Sequence, residues 1–321
     1  MYSGYITDVE GIKVGHCQSQ EGMTGCSVII CEEGATGGVD VRGSAPGTRE
    51  TDLFKAEKLV DKVNAVVLAG GSAFGLDASS GVMKYLEEKG IGLDVGVTKV
   101  PIVSSAVIFD LNIGNYKIRP DFDMGYLAAK NASIDNREQG NVGCGMGATV
   151  GKILGPENAM KSGLGSASVK IGELVVSAMV ALNSFGDIYD FTDNKQIAGV
   201  YDYKNNNLLN TVKIMKDKNK KIGFNVKNTT IGIIVTNAVL TKAQGNKVSQ
   251  MAHNGFARTI NPVHTMVDGD TIFTMATNKI NSDINLIGTL AAEAMSKAII
   301  NAISLAEGVK GLKTYKDIQV K

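Results

Sequence analysis

The stretch Asn228-Thr229-Thr230-Ile231-Gly232-Ile233-Ile234-Val235 contains the sharpest change of character in this chain. An asparagine and two threonines lead directly into a short apolar, β-branched run, which is typical of a strand buried on both faces. The residues before it are polar, with Asn205-Asn206-Asn207 and a lysine-rich cluster between Lys216 and Lys221. We therefore predict that residues 190–228 form an exposed connector, which ends where a central strand begins.

Working outward from this strand, the chain alternates between short apolar runs and stretches with helical spacing. The other predicted strands are Ser27–Cys31, Asn64–Ala69, Val100–Ile108, Leu174–Leu182 and Thr271–Ala276. The predicted helices are Asp52–Val60, Gly75–Glu88, Asp121–Ser133, the apolar stripe from Val248 to Phe256, and the alanine-rich Ile284–Ala306. This alternation predicts a mixed α/β fold whose helices can cover both faces of the sheets.

Composition excludes several classes of function. Thirty-three basic and 32 acidic residues give a net charge of +1, so no electrostatic footprint favours nucleic acid or an anionic membrane. The first 14 residues lack the apolar core of a secretory signal, and we expect no later segment to reach the ~18 apolar residues that span a bilayer. The four cysteines lack C-x-x-C spacing and the three histidines are scattered, which indicates free thiols and no metal site. A cytoplasmic protein without metal or organic cofactor is the expectation.

Familiar catalytic motifs are missing, because the chain contains no G-x-S-x-G, H-E-x-x-H or Walker sequence. A threonine at the start of a chain needs no histidine, since its own α-amino group can accept the hydroxyl proton. A cut at Asn228–Thr229 would expose such a threonine without dismantling the core. From composition alone, however, a threonine at position 229 is more often an ordinary strand residue, and the Asp268-Gly269-Asp270 run is typical of an exposed turn.

Several long blocks resemble one known family in the same order along the chain. They include residues 6–16, residues 38–52 from Gly38-Val39-Asp40 to Glu50-Thr51-Asp52, residues 69–77 and residues 269–271. The family is that of the self-processing DmpA/BapA-type aminopeptidases, which includes the nylon-oligomer hydrolases. The resemblance implies one domain over residues 1–321, with a four-layer αββα sandwich of the DmpA/ornithine-acetyltransferase type, similar to the N-terminal-nucleophile hydrolases. It also implies autocleavage into an α chain (1–228) and a β chain (229–321) that remain associated, in a homo-oligomer such as a tetramer.

The resemblance also implies roles for individual residues. Thr229 opens the block that begins the family's β chain and matches the nucleophile. Asn183, in Ala181-Leu182-Asn183-Ser184, matches the asparagine of the oxyanion hole, a role that suits a side-chain amide donor. Lys152 matches a lysine near the nucleophile in the nylon-hydrolase branch, and a cation there can lower the pKa of an amine or hold a carboxylate. Asp268 and Asp270 match the paired aspartates of that branch, where they would bind the Thr229 ammonium and hydroxyl or a substrate's amino terminus.

One position departs from the family pattern. The family commonly contributes a tyrosine to the site, and the best-aligned position here is Phe109, which has no hydroxyl. Two explanations follow: another tyrosine, such as Tyr116 or Tyr126, supplies the donor, or the oxyanion site depends more heavily on Asn183.

The expected activity is therefore amide hydrolysis through an acyl-enzyme on Thr229. The substrates implied by the family are peptides, amino-acid amides or esters, and linear amino-acid oligomers; the aspartate pair favours linear amides that carry a free amine. Two alternatives remain at this stage. One is an acyltransferase of the ornithine acetyltransferase type, in which an amine takes the acyl group; the other is an uncleaved, non-enzymatic binding protein.

Overall fold

The computed structural model describes residues 1–218 and 228–319. Within them, the strands are β1 (Ile12–Ser19), β2 (Thr24–Val41), β3 (Thr48–Arg49), β4 (Lys62–Ala69), β5 (Leu93–Asp94), β6 (Lys99–Val100), β7 (Val103–Val107), β8 (Thr149–Val150), β9 (Met160–Lys161), β10 (Leu164–Ile171), β11 (Leu174–Ala181), β12 (Asp187–Tyr189), β13 (Gln196–Ala198), β14 (Tyr201–Asp202), β15 (Asn207–Leu208), β16 (Ile231–Ala238), β17 (Ile260–Asn261) and β18 (Thr271–Ile280). The helices are α1 (Ala78–Glu88), α2 (Phe122–Lys130), α3 (Thr211–Lys218), α4 (Lys242–Thr259), α5 (Ile284–Ser304) and α6 (Tyr315–Gln319).

The largest sheet has nine strands, in the order β10-β11-β16-β18-β2-β4-β7-β3, with β1 paired to β2. The strand predicted at Thr230–Thr236 is β16, and it is central as expected. It runs antiparallel to β11, with Ile231 opposite Ala181, and parallel to β18, with Ile231 opposite Thr271. From Ile231 to Thr236, the strand therefore has a hydrogen-bonded neighbour on each side.

The long strand β2 joins the two halves of this sheet. Its first half pairs with β1 and β4, whereas its second half pairs with β18. Alternate side chains of β16 enter different cores, since successive strand residues point to opposite faces. Ile234 packs with residues of α4 and α5, whereas Ile233 and Val235 pack with residues of β2 and β4. The outer face of β2, β4 and β7 forms a third core with α1 and α2.

Most of the predicted elements are confirmed, but the helix expected at Asp52–Val60 is wrong. Only Asp52–Phe54 forms a short 3₁₀ turn, and Leu59 is 94% exposed. Backbone carbonyls of Leu53, Lys58 and Val60 accept hydrogen bonds from the Lys242 ammonium. These carbonyls are therefore bound by a side chain instead of by helical N–H groups.

Two further expectations need correction. The strand predicted at Val100–Ile108 is divided into β6 and β7, because Pro101 has no N–H to donate to a ladder. The connector predicted at residues 190–228 is not uniformly exposed: it contains β13, β14, β15 and α3, and Ile197, Ala198 and Tyr201 are buried in the core beside α5. A few apolar residues therefore anchor an otherwise polar segment. Residues 219–227 of the predicted connector lie outside the described residues.

Helix α5 is long and apolar enough to cross a membrane, contrary to the expectation that no segment would be. It nevertheless packs inside the protein, since 78% of its most apolar 18-residue window is buried. Asp283 caps its first turn by accepting hydrogen bonds from the N–H groups of Asn285 and Leu286. The apolar composition is that of a core helix, which contacts β10, β11 and α4.

Candidate active site

Thr229 lies immediately before β16, and backbone hydrogen bonds fix it on both sides. Its N–H donates to the carbonyl of Asn183, at 3.0 Å. The preceding residue, Asn228, forms an isolated parallel bridge with Asp268 and donates its N–H to Val267, at 3.2 Å. The Asn228–Thr229 peptide is therefore held between the residues that follow β11 and the loop that precedes β18, at the point where β16 begins.

The hydroxyl of Thr229 faces the peptide bond that precedes it. Its Oγ1 lies 2.5 Å from the carbonyl oxygen of Asn228, and the backbone N–H of Gly269 donates to the same oxygen at 3.1 Å. Gly269 leaves space for this arrangement, because a Cβ at that position would lie 2.7 Å from Thr229 Oγ1. A hydroxyl and a polarised carbonyl are thus adjacent, as an intramolecular acyl shift needs.

Asn183 and Lys152, both expected at the site, are hydrogen-bonded to each other, and the carbonyl of Asn183 binds Thr229. The carboxamide oxygen of Asn183 accepts hydrogen bonds from Lys152 Nζ at 2.6 Å and from the N–H of Thr149 at 3.1 Å. Its Nδ2 donates to the carbonyl of Phe109 at 3.1 Å. A carboxamide nitrogen has two N–H groups, and among the described residues Nδ2 of Asn183 has one acceptor, which leaves its second N–H available to an oxyanion.

Burial changes the charge balance of this cluster. Desolvation lowers the pKa of Lys152 to about 7, although the negative charges of Asp268 and Asp110 oppose that shift. Desolvation, together with the negative charge of Asp270, raises the pKa of Asp268 to about 6. Both groups can therefore exchange a proton close to neutral pH, which is a property of acid–base residues.

The aspartate pair lies beside Thr229 and is buried, so the exposed turn that composition alone suggests is wrong. Asp268 and Asp270 are each 2% exposed. One oxygen of Asp270 accepts from the N–H of Thr230 at 2.8 Å, and the other accepts from the Nδ1 of His264 at 2.8 Å. Asp268 Oδ2 accepts from the N–H and hydroxyl of Thr265, whereas its Oδ1 has no partner among the described residues.

A cavity of about 310 Å³ opens directly onto Asn228 and Thr229. Its remaining walls are mostly apolar and include no ionisable side chain: Ala45, Pro46, Gly47, Ser72, Ala73, Val107, Ile108, Phe109, Met266 and Val267. Neither Asp268 nor Asp270 lines the cavity. In the intact chain, the expectation that the pair captures a substrate's amino terminus is therefore not supported.

Among the described residues, no tyrosine lines this cavity in place of the family's tyrosine. Phe109 lines it as the alignment suggests, but Tyr116 and Tyr126 do not. Tyr116 is 60% exposed, and the Tyr126 hydroxyl donates to Glu88 at 2.8 Å. The Gly269 N–H and the Thr229 hydroxyl donate to the Asn228 carbonyl, and the Asn183 carboxamide donates to the carbonyl of Phe109.

Three supporting residues were given no role from the sequence. Gly269 and His264 belong to the loop before β18, where a role was predicted only for the aspartates, although His264 stands out in the sequence as the one histidine near a cluster of carboxylates. Asp110 is 1% exposed, accepts from the Thr24 hydroxyl and the Gly71 N–H, both at 2.7 Å, and has its pKa raised to about 6 by burial. Its signal in the sequence is an acidic residue directly after the apolar run Val107-Ile108-Phe109.

Metal binding finds no support in the described part of the chain, where no three His, Cys, Asp or Glu side chains are grouped to hold an ion. The expectation of a hydrolase without metal or cofactor remains a prediction. Cys17, Cys26, Cys31 and Cys144 are free thiols.

The fold of this chain is similar to that of a solved structure. The L-aminopeptidase D-Ala-esterase/amidase from Ochrobactrum anthropi, described as a variant of the Ntn hydrolase fold, superposes with a TM-score of 0.73 and 16% identity, over 98% of this chain and 91% of that one. At that identity, the similarity establishes the fold alone. The chain therefore has a mixed α/β fold of the Ntn hydrolase type.

Comparison with relatives of higher sequence identity shows the family of this chain. An uncharacterized aminopeptidase from Mycobacterium leprae is 36% identical over 97% of this chain and 92% of its own length. A 6-aminohexanoate-oligomer endohydrolase from a Kocuria species is 30% identical over 92% of this chain and 84% of its own length. The model of peptidase family S58 matches residues 4–316. The chain belongs to peptidase family S58 and is a hydrolase of amide bonds.

Proposed function

We propose that this protein is a self-processing amide hydrolase that uses Thr229 as its N-terminal nucleophile after cleavage of the Asn228–Thr229 bond. The observation that carries the proposal is the 2.5 Å approach of the Thr229 hydroxyl to the Asn228 carbonyl at the wall of the cavity. Membership of a peptidase family does not favour the acyltransferase or the non-enzymatic alternative.

Processing would begin with attack of Thr229 Oγ1 on the carbonyl carbon of Asn228. The Gly269 N–H, which already donates to that carbonyl oxygen, would stabilise the developing oxyanion. The C–N bond then breaks, the hydroxyl proton passes to the departing nitrogen, and an ester joins Asn228 to the Thr229 oxygen. Water hydrolyses this ester, which leaves a carboxylate on Asn228 and a free amine and hydroxyl on Thr229.

Turnover would use the same groups on an external amide. The new α-amino group accepts the proton of the Thr229 hydroxyl as it attacks, and the acyl-enzyme is released by water. The carbonyl of Asn183, which accepts from the Thr229 nitrogen at 3.0 Å, would orient that amine. The free N–H of the Asn183 carboxamide would bind the oxyanion, while Lys152 holds the carboxamide oxygen at 2.6 Å.

The cavity supports part of the expected substrate range. Its apolar walls suit the neutral acyl portion of a peptide, an amino-acid amide or ester, or a linear amino-acid oligomer. We propose these classes as substrates, in keeping with the aminopeptidase and oligomer endohydrolase names of the relatives.

Strand pairing supports continued association of the two fragments. After cleavage, β16 of the β chain would still be bonded to β11 of the α chain, and β18 to β2. The three cores support the expected four-layer order: α4 and α5, two sheet layers, then α1 and α2. A single domain, a homotetramer of αβ units and a cytoplasmic location remain proposals.

Denaturing mass analysis with N-terminal sequencing tests the proposal. Dividing 33.8 kDa by residue number predicts fragments of about 24 and about 10 kDa, the smaller beginning Thr-Thr-Ile-Gly. The variant Thr229→Ala should stay intact. Thr230→Ala is the matched control, because the Thr230 hydroxyl has no partner among the described residues. A wild-type chain that stays intact after long incubation, or cleavage of Thr229→Ala at the same bond, would refute the mechanism.

A further inference from the structure

Lys161 is a fully buried lysine with no carboxylate partner among the described residues. Its ammonium donates to three backbone carbonyls: that of Gly145 at 2.9 Å, that of Ala148 at 3.2 Å and that of Ser162. An ammonium group has three donors, so all of them are used. Burying a cation this deeply is costly unless its donors are all satisfied, so loss of these three acceptors would disturb the backbone around Lys161.

The three carbonyls belong to the backbone that carries the active-site cluster. Ala148 directly precedes Thr149, whose N–H donates to the Asn183 carboxamide at 3.1 Å. Lys152 follows three residues later and binds the same carboxamide oxygen. Lys161 therefore fixes the segment from which two of the donors to Asn183 originate.

Ser162 binds both the segment around Ala148 and the end of β11. Its hydroxyl donates to the carbonyl of Leu182, the residue before Asn183, and its N–H donates to the Ala148 carbonyl at 3.0 Å. The Leu182 N–H in turn donates to Gly163 at 3.1 Å. Lys161 and Ser162 thus bind the segment whose groups hold the Asn183 side chain. Ser162 also binds the backbone next to Asn183.

We propose that Lys161 and Ser162 are positioning residues, which hold the Thr149–Lys152 segment and the end of β11 so that Asn183 and Lys152 face Thr229. This inference rests on the proposed function of Thr229. Neither residue lines the cavity, so neither would touch the substrate. Burial lowers the pKa of Lys161 to about 7, and the negative charge of Asp110 supports the charged form.

The chain offers a matched control in Lys242. Its ammonium is also buried and also donates to three backbone carbonyls, those of Leu53, Lys58 and Val60. It has an additional ion pair with the exposed Asp61, at 3.5 Å. None of these residues lines the Thr229 cavity or contacts Asn183, so Lys242→Met removes a similar set of hydrogen bonds away from the site.

The test compares Lys161→Met, Ser162→Ala and Lys242→Met by two measurements. The first is the rate of processing at Asn228–Thr229, which Lys161→Met should slow by about tenfold or more, whereas Lys242→Met stays within about twofold of wild type. The second is hydrogen exchange in the Thr229→Ala background. Lys161→Met should speed exchange in residues 145–152 and 179–184, and Lys242→Met in residues 53–61.

The two measurements separate the inference from the function on which it rests. If wild type does not process, the proposed function fails, and exchange alone decides whether Lys161 orders the segment. Equal slowing by Lys161→Met and Lys242→Met, or unchanged processing and exchange in Lys161→Met, would overturn the inference. Should Lys161→Met fail to fold, Ser162→Ala decides: slower processing with faster exchange in residues 179–184 supports the inference, and wild-type behaviour overturns it.

Discussion

Gly269→Ala should slow processing by steric means alone, because alanine keeps the N–H that donates to the Asn228 carbonyl. The backbone of Gly269 is not in the left-handed region, so alanine introduces no backbone strain. Its Cβ would lie 2.7 Å from Thr229 Oγ1 and 2.6 Å from the carbonyl oxygen of Ala45, where an ordinary contact is at least 3.4 Å. The hydroxyl or the loop must therefore move by roughly 0.7 Å.

A displacement approaching 1 Å at a reacting atom costs on the order of 100-fold in rate, or about 2.7 kcal/mol of barrier. We expect Gly269→Ala to process about 100-fold more slowly and to lose about 1–3 kcal/mol of stability through overpacking. Gel densitometry of freshly purified chains over time measures the rate, and urea unfolding measures the stability.

Gly308→Ala is the control, since a Cβ there would have no neighbour closer than 3.5 Å and the residue is remote in sequence from the site. It should process like wild type. If Gly269→Ala is folded and processes within about threefold of wild type, the geometry described for the Thr229 hydroxyl is wrong. The rate of Thr229→Ala sets the lower limit of the assay.

Three further outcomes are expected. Because burial lowers the pKa of Lys152 and that of Lys161 to about 7, the folded protein binds fewer protons than the unfolded chain between pH 7 and about 9. The stability of the Thr229→Ala protein should therefore rise with pH there, with each lysine contributing up to about 1.4 kcal/mol per pH unit, as followed by urea titrations. Lys152→Met should reduce that slope, and an unchanged slope would contradict the assignment. Asp270→Asn leaves one N–H group without an acceptor, because both carboxylate oxygens accept, and should cost about 1–3 kcal/mol in urea unfolding while slowing processing; a neutral effect on both would count against its role. Thr241→Ala removes the cap of α4 and should cost about 1 kcal/mol with an unchanged processing rate, so slower processing would show that stability alone limits the reaction.

The central strand was predictable because its signal is local. An apolar, β-branched run without polar interruption has to be buried on both faces, and β16 is buried in this way. The register of β16 against β11 and β18 was not predictable, since those partners are distant in the chain. Similarly, the helix expected at Asp52–Val60 failed because Lys242, far away in sequence, binds the carbonyls of that segment.

The candidate site was likewise predictable only in part from the sequence. The residue blocks indicated Thr229, Asn183 and Lys152, and the structure brings the three together. The aspartate pair was also indicated, but its orientation was not: both carboxylates bind groups of the protein and neither lines the cavity.

By itself, the sequence indicated the mixed α/β class, the central strand, the family and Thr229 as the proposed nucleophile, because periodicity, composition and the order of the blocks are properties of the chain alone. Only the tertiary structure decided which charged groups are buried. Lys161 resembles any surface lysine in sequence, yet carbonyls from Gly145, Ala148 and Ser162 converge on it. Desolvation and hydrogen bonding depend on such convergence of distant segments, and they set both the pKa values and the geometry of the site.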